Sequence, residues 1–130
     1  QAQRMARAGP SKVARNPSPV ASISVGTNRT CAILTTGGMR CWGQGGEFPL
    51  GYGNLNTIGD NETPASVGNI QLGASAVQAA AGEQHICALL TGGEVRCWGD
   101  PGEGRLGLPD FRVTIGDNEL PTAFPTIEVL

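Results

Sequence analysis

The sequence predicts an all-β protein: two four-stranded propeller-type blades behind an extended N-terminal arm. Three observations carry that expectation. The first is internal repetition. Cys31-Ala32-Ile33-Leu34-Thr35 and Arg40-Cys41-Trp42-Gly43 return 56 residues later as Cys87-Ala88-Leu89-Leu90-Thr91 and Arg96-Cys97-Trp98-Gly99. Leu50-Gly51 matches Leu106-Gly107, and Ile58-Gly59-Asp60-Asn61-Glu62 matches Ile115-Gly116-Asp117-Asn118-Glu119 at an offset of 57. A fixed period of this length marks units that each expose an apolar face for a neighbour to cover. The second is composition. With 20 glycines in 130 residues, 5% aromatic and 15% charged residues, the chain is turn-rich and polar, unlike a helical bundle. The third is punctuation, because short alternating runs are bounded by Gly and Pro throughout.

In chain order, residues 1–19 form a basic arm, in which only residues 1–8 give even weak support for helix. Blade 1 spans residues 20–75 and blade 2 residues 76–130. Within blade 1, residues 20–25 alternate loosely and stop at Gly26, which reads as a strand and a turn. Residues 30–34 form a second strand. Thr35-Thr36-Gly37 makes a three-residue hairpin loop, with Gly37 at its positive-φ position. Residues 39–42 return as the third strand. Blade 2 repeats this with strands over 76–81, 85–90 and 94–98 and a turn at Thr91-Gly92-Gly93. Residues 64–72 and 121–130 then supply a fourth extended segment per blade, in which Ile70 and Leu72 correspond to Ile127 and Val129.

Charge is unevenly placed. The net charge is −2, yet Arg4, Arg7, Lys12 and Arg15 give residues 1–16 a charge of +4 with no acid. The other five basic residues face all eleven acidic ones, a balance of −6. A basic arm on an acidic body suggests arm-to-body contact, within the chain or between subunits, with a solvated tail as the competing reading. Four charges without an interleaved aromatic make a poor nucleic-acid footprint. No run of 18 apolar residues provides a spanning helix, so no membrane insertion is expected. The N-terminus lacks the apolar centre of a signal peptide, so an exported chain would be the mature form.

Ala80-Ala81-Gly82-Glu83-Gln84-His85-Ile86-Cys87-Ala88-Leu89-Leu90, then Gly93-Glu94-Val95-Arg96-Cys97-Trp98-Gly99 and Gly104-Arg105-Leu106-Gly107, resembles the regulator of chromosome condensation repeat. The likeness is to its Cys-bearing bacterial version and covers residues 20–130. The first copy departs in two places: Arg29 stands for the His, and Phe48-Pro49 interrupts the glycine–leucine passage. The resemblance implies blades of a β-propeller, usually seven-bladed, whose face recognises other proteins. It carries no exchange-factor, photoreceptor or inhibitor activity onto particular residues here.

The four cysteines form two Cys-x9-Cys pairs. Cys31 and Cys41 are symmetric about Thr36, and Cys87 and Cys97 about Gly92, so a three-residue loop sets each pair directly opposite across its hairpin. Disulfides Cys31–Cys41 and Cys87–Cys97 are therefore expected, each worth roughly 2.5–3 kcal/mol by loop-closure entropy. They would place the protein in an oxidising location, secreted or at a bacterial-type cell surface. The alternatives are buried free thiols in a reducing compartment, or a zinc site, whose short ligand pairs this spacing does not match.

No catalytic constellation is evident, and the chain reads as a non-enzyme without a cofactor. His85 is the single histidine, and its counterpart Arg29 shows that the fold does not demand it. Asp60 and Glu62, with Asp117 and Glu119, offer hard oxygen ligands for a Ca²⁺ ion. The competing reading is an Asx-type turn in which these loops satisfy their own backbone. Trp42 and Trp98 occupy equivalent positions, which favours blade-to-blade packing over a ligand platform.

Two blades are fewer than the roughly four to eight of a closed propeller. The leading expectation is a secreted structural protein that assembles with copies of itself, as a ring or extracellular filament, through blade stacking or strand exchange. Arg4, Arg7, Lys12 and Arg15 of the arm, with Trp42, Trp98, Ile127 and Val129, are its expected assembly residues. The alternative is a propeller module that recognises another protein through its blade loops.

Overall fold

Residues 19–109 and 113–130 are described by a computed structural model. The arm charges Arg4, Arg7, Lys12 and Arg15 lie outside them.

Two antiparallel sheets follow from the two repeats. The first contains β1 (Val20–Gly26), β2 (Arg29–Leu34) and β3 (Met39–Gly43) in the order β1-β2-β3. The second contains β4 (Ala76–Ala81), β5 (His85–Leu90) and β6 (Val95–Gly99) in the order β4-β5-β6. The hairpin loops take the expected form. Gly37 sits at φ 94° and Gly93 at φ 89°, and their amides donate to Leu34 O and Leu90 O at 2.9 Å. That left-handed turn position is the one glycine fills without strain. The register places Cys31 opposite Cys41 and Cys87 opposite Cys97. Both first strands carry an irregularity at the same place, between Val20 and Ser22 and between Ala76 and Gln78.

Each sheet holds three strands where four were expected. The residue-64 segment opens as a one-turn helix, α1 (Pro64–Val67), whose cap residue Thr63 accepts from Ser66 N at 3.3 Å. Pro121–Ala123 forms a 3-10 turn in the second copy. Proline at the first helical position presets the backbone dihedral and lacks the amide that a ladder would need. What remains of the fourth strand is one rung per sheet: Ile70 N donates to Met39 O at 2.9 Å, and Ile127 N to Val95 O at 2.8 Å.

Residues paired across a sheet share a face, so each sheet divides into two. On the first sheet, Ser22, Ser24, Cys31, Ile33, Met39 and Cys41 form one face, and Ile23, Val25, Thr30, Ala32, Arg40 and Trp42 the other. On the second sheet, Ala79, Ala81, Ile86, Ala88, Arg96 and Trp98 share a face. The core lies where the Cys31–Cys41 face of the first sheet meets the Trp98 face of the second, and Cys31, Cys41, Ile86 and Trp98 are all fully buried there. Ala81 N donates to Ser24 Oγ at 3.0 Å across the join.

Candidate protein-recognition surface

Trp98 is the knob of the sheet-to-sheet contact. It belongs to β6 but packs on the first repeat: a Cβ added at Gly51 would stand 2.9 Å from its Nε1 and 3.1 Å from Ile70 Cγ2. Its own loop closes the other side, because a Cβ at Gly116 would lie 3.7 Å from Trp98 Cδ1 and 3.3 Å from Pro49 Cγ. Only glycine permits an indole this close to the backbone. Trp42, its counterpart, is half-buried on the open face of the first sheet.

The Ile-Gly-Asp-Asn-Glu loops fasten the ends of β3 and β6. Ile58 and Gly43 exchange both backbone hydrogen bonds, at 2.9 and 3.0 Å, as do Ile115 and Gly99, both at 2.9 Å. The acidic side chains turn inward on their loops. Glu62 Oε1 accepts from Gly59 N at 2.9 Å, and Glu119 Oε1 from Gly116 N at 2.7 Å. Asp60 Oδ1 accepts from Asn61 N at 2.8 Å, and Asp117 Oδ1 from Asn118 N at 2.9 Å. Asp60 and Glu62 thus close one loop and Asp117 and Glu119 another. Among the described residues, no three His, Cys, Asp or Glu side chains converge as metal ligands. These hydrogen bonds are those of a turn that satisfies its own backbone.

A third structure sits where the loops of both sheets converge at one end. Arg29, at the start of β2, is the one charged side chain that is buried among the described residues. Its Nη2 donates to Phe48 O at 2.7 Å, and burial holds its guanidinium below its usual pKa. Around it, a cavity of about 320 Å³ is lined by Thr27, Asn28, residues 44–48 and Glu83, so both repeats contribute. Asn28 adopts a left-handed backbone at φ 61° and donates to Gln44 Oε1 at 3.1 Å. Asn is among the non-glycine residues that adopt this region most readily, and it suits the two-residue turn between β1 and β2. In the second repeat, Arg105 donates to Gln84 Oε1 and lies 3.5 Å from Asp100. His85, the counterpart of Arg29, is pushed below its usual pKa by burial first and then by Arg105 and Arg29. Sequence reasoning found Arg29 only as a departure from the repeat; its burial carries no sequence signal, since charged side chains are ordinarily exposed.

The remaining expected assembly residues are scattered. Ile127 pairs with Val95 at the edge of β6, and Val129 is exposed beyond it. The cysteine sulfurs stand at bonding distance, 2.11 Å for Cys31–Cys41 and 2.07 Å for Cys87–Cys97. The first pair is sealed between the sheets, whereas Cys87 is only half-buried on the far face of the second.

Two repeated antiparallel sheets, face to face with a tryptophan knob between them, define a run of β-propeller blades. The repeats belong to the regulator of chromosome condensation (RCC1) family, whose repeat matches residues 20–48 and 76–105. RCC1 domain-containing protein RUG3, mitochondrial, of Arabidopsis thaliana is 37% identical over 103 residues, which is 79% of this chain and 22% of that protein. Yeast RCC1 (Prp20), in its crystal structure with Kap60, superposes with a TM-score of 0.62 at 16% identity, over 81% of this chain and 25% of that one. Prp20p from Saccharomyces cerevisiae, in a study that includes its binding to Gsp1p and histones, gives a TM-score of 0.61 at 16% identity over 78% and 25%. The chain therefore spans about a quarter of the length of these three proteins.

Proposed function

We propose that this chain is a non-enzymatic protein-recognition module that meets its partner through the loop end of its two blades. The observation that carries the reading is the convergence there of the Thr27-Asn28 turn, residues 44–48 and Glu83 around the buried Arg29. Rigid strands holding polar loops at one end is how scaffolds present contact residues. The binding of Kap60, Gsp1p and histones by yeast RCC1 supports protein recognition as the class of activity, without assigning those partners to this chain. A photo-crosslinking residue at Gln44 or Glu83 should form adducts with a partner protein, while the same residue at Thr91, at the hairpin end, should not. Adducts from Thr91 alone, or from no position, overturn the reading.

A second reading, a secreted or cell-surface structural protein that assembles with copies of itself, is supported by two observations. The two cysteine pairs suit an oxidising compartment. The first sheet also carries an exposed apolar pair, Ile23 at 64% and Val25 at 68% exposure.

A further inference from the structure

The cavity beside Arg29 has donors at its floor and acceptors at its rim, and both repeats build it. Arg29 stands two residues before Cys31 on β2, so it shares the Cys31–Cys41 face, which meets the second sheet. It is 4% exposed, and its Nε and Nη1 are buried without a hydrogen-bond acceptor. A buried donor left unpaired carries the cost of its desolvation, which an acceptor from outside would offset. Glu47 of the first repeat and Glu83 of the second line the same cavity, and both are exposed. The ion pair found among the described residues joins Arg105 to Asp100, so neither Glu47 nor Glu83 faces a cation.

The surrounding charge extends the rim. Ten of the eleven acidic residues, but four of the nine basic ones, lie among the described residues. All four guanidiniums are already engaged. Arg29 donates to Phe48 O, Arg40 to Asn69 Oδ1, Arg96 to Pro121 O and Phe124 O, and Arg105 to Gln84 Oε1. The loops at the cavity end, residues 44–48, 82–84 and 100–104, carry Glu47, Glu83, Asp100 and Glu103. The hairpin loops at the other end, residues 35–38 and 91–94, carry Glu94 alone. A field of one sign at one end of a molecule steers the opposite charge towards it.

We infer that this cavity takes a basic segment of a partner protein: a backbone carbonyl meets the free Arg29 donors, and a Lys or Arg side chain faces Glu47 and Glu83. The inference rests on the recognition reading above and names the chemistry of what is recognised. The guanidinium already shows the acceptor it takes, because its Nη2 holds a backbone carbonyl, Phe48 O, at 2.7 Å. Three simpler ligands satisfy half of the site. An Asp or Glu side chain would meet Arg29 but pass two carboxylates of its own sign. A lone amine would pair with the rim and leave the buried donors as they are. A neutral turn would serve the floor and leave the rim without a cation. At about 320 Å³ the cavity lies at the small end of ligand sites, so a residue or two of chain enters rather than a folded element. Because the donors are buried, the wall formed by residues 44–48 shifts as the segment enters. At Gly46 nothing lies within 4 Å of where a Cβ would stand, which leaves that wall room to yield.

The test is an NMR titration of the ¹⁵N-labelled protein, following the Arg29 Nε–H and the backbone amides of residues 44–48 and 82–84. The probes are capped peptides of alternating Gly and Lys, Gly and Glu, or Gly and Ser, and the diamine putrescine, each to about 1 mM, the weak end of specific binding. The Lys peptide should move the Arg29 Nε–H together with both loops. Its affinity should fall as salt rises from about 50 mM to about 300 mM. Glu47→Gln and Glu83→Gln alter exposed residues and should leave folding unaffected. Each should weaken the Lys peptide about 1.5–5-fold, the range of an exposed ion pair. Putrescine should bind more weakly and leave the Nε–H in place, as should the Glu and Ser peptides. A Glu peptide that moves the Nε–H when the Lys peptide does not would assign the site to an acidic ligand and overturn the inference. A Lys peptide that binds without moving the Nε–H, or that putrescine or the Ser peptide matches, would overturn it too, as would binding by no probe. None of these outcomes touches the recognition reading, which stands or falls on crosslinks from Gln44 and Glu83 whatever charge the partner carries.

Discussion

The Trp98 indole lies so close to Gly51 that a single added carbon there would stand 2.9 Å from its Nε1. Gly51 also sits at φ 120°, where an L side chain is strained whatever space is available. Gly51→Ala should therefore destabilise by about 1–3 kcal/mol, combining overpacking with backbone strain. Thermal unfolding should show a loss of roughly 5–10 °C for a domain of this size. Gly46→Ala, at φ 76° with nothing within 4 Å, should carry only the backbone part. Equal losses at the two sites would mean that the indole does not seat on Gly51.

The pentad loops are expected to stabilise by hydrogen bonding, without calcium. Glu119 Oε1 accepts from Gly116 N at 2.7 Å beside the fully buried Ile115. Glu119→Ala removes that acceptor and should cost about 1–2 kcal/mol. Added Ca²⁺ or a chelator should leave the melting temperature of wild type unchanged. A rise with Ca²⁺ that Glu119→Ala abolishes would restore the metal reading.

The hairpin register was legible because the loop length and cysteine symmetry both fix it: a slip of one residue would separate Cys31 from Cys41. The fourth strand was over-read. Ile70, Leu72 and Ile127 look like a strand's alternating residues, yet Pro64 and Pro121 begin helical turns that leave one rung each. Matched positions show that Trp42 and Trp98 play one role, but not which face each sheet turns towards the other. That depends on the pleat together with the packing of Trp98 over Gly51. The loop end around Arg29 was hidden because a buried guanidinium looks like any surface arginine in the sequence.

His85 should make stability depend on pH. Burial, then Arg105 and Arg29, holds its pKa below the ordinary value near 6.5, while Asp100 pulls the other way. The unfolded chain thus binds the proton more readily, so the contribution is complete above the unfolded pKa and is lost as the pH falls below about 6.5 towards the folded pKa. Melting temperature measured between pH 7.5 and pH 5 should fall in this window. His85→Gln should flatten that slope; an unchanged slope would assign it to the carboxylates.

The two cysteine pairs should differ in their resistance to reduction. Cys31 and Cys41 are fully buried between the sheets, and a reductant reaches them only after the blades part. Cys87 is half-buried on the face of the second sheet opposite Trp98, within reach of a thiolate attacking from solvent. Brief treatment with dithiothreitol followed by alkylation should label Cys87 and Cys97 first, read by peptide mapping. Labelling of Cys31 and Cys41 should follow with the kinetics of unfolding. Simultaneous labelling of both pairs would mean that the blades separate faster than the exposed bond is attacked. That outcome would remove the idea of a sealed core between them.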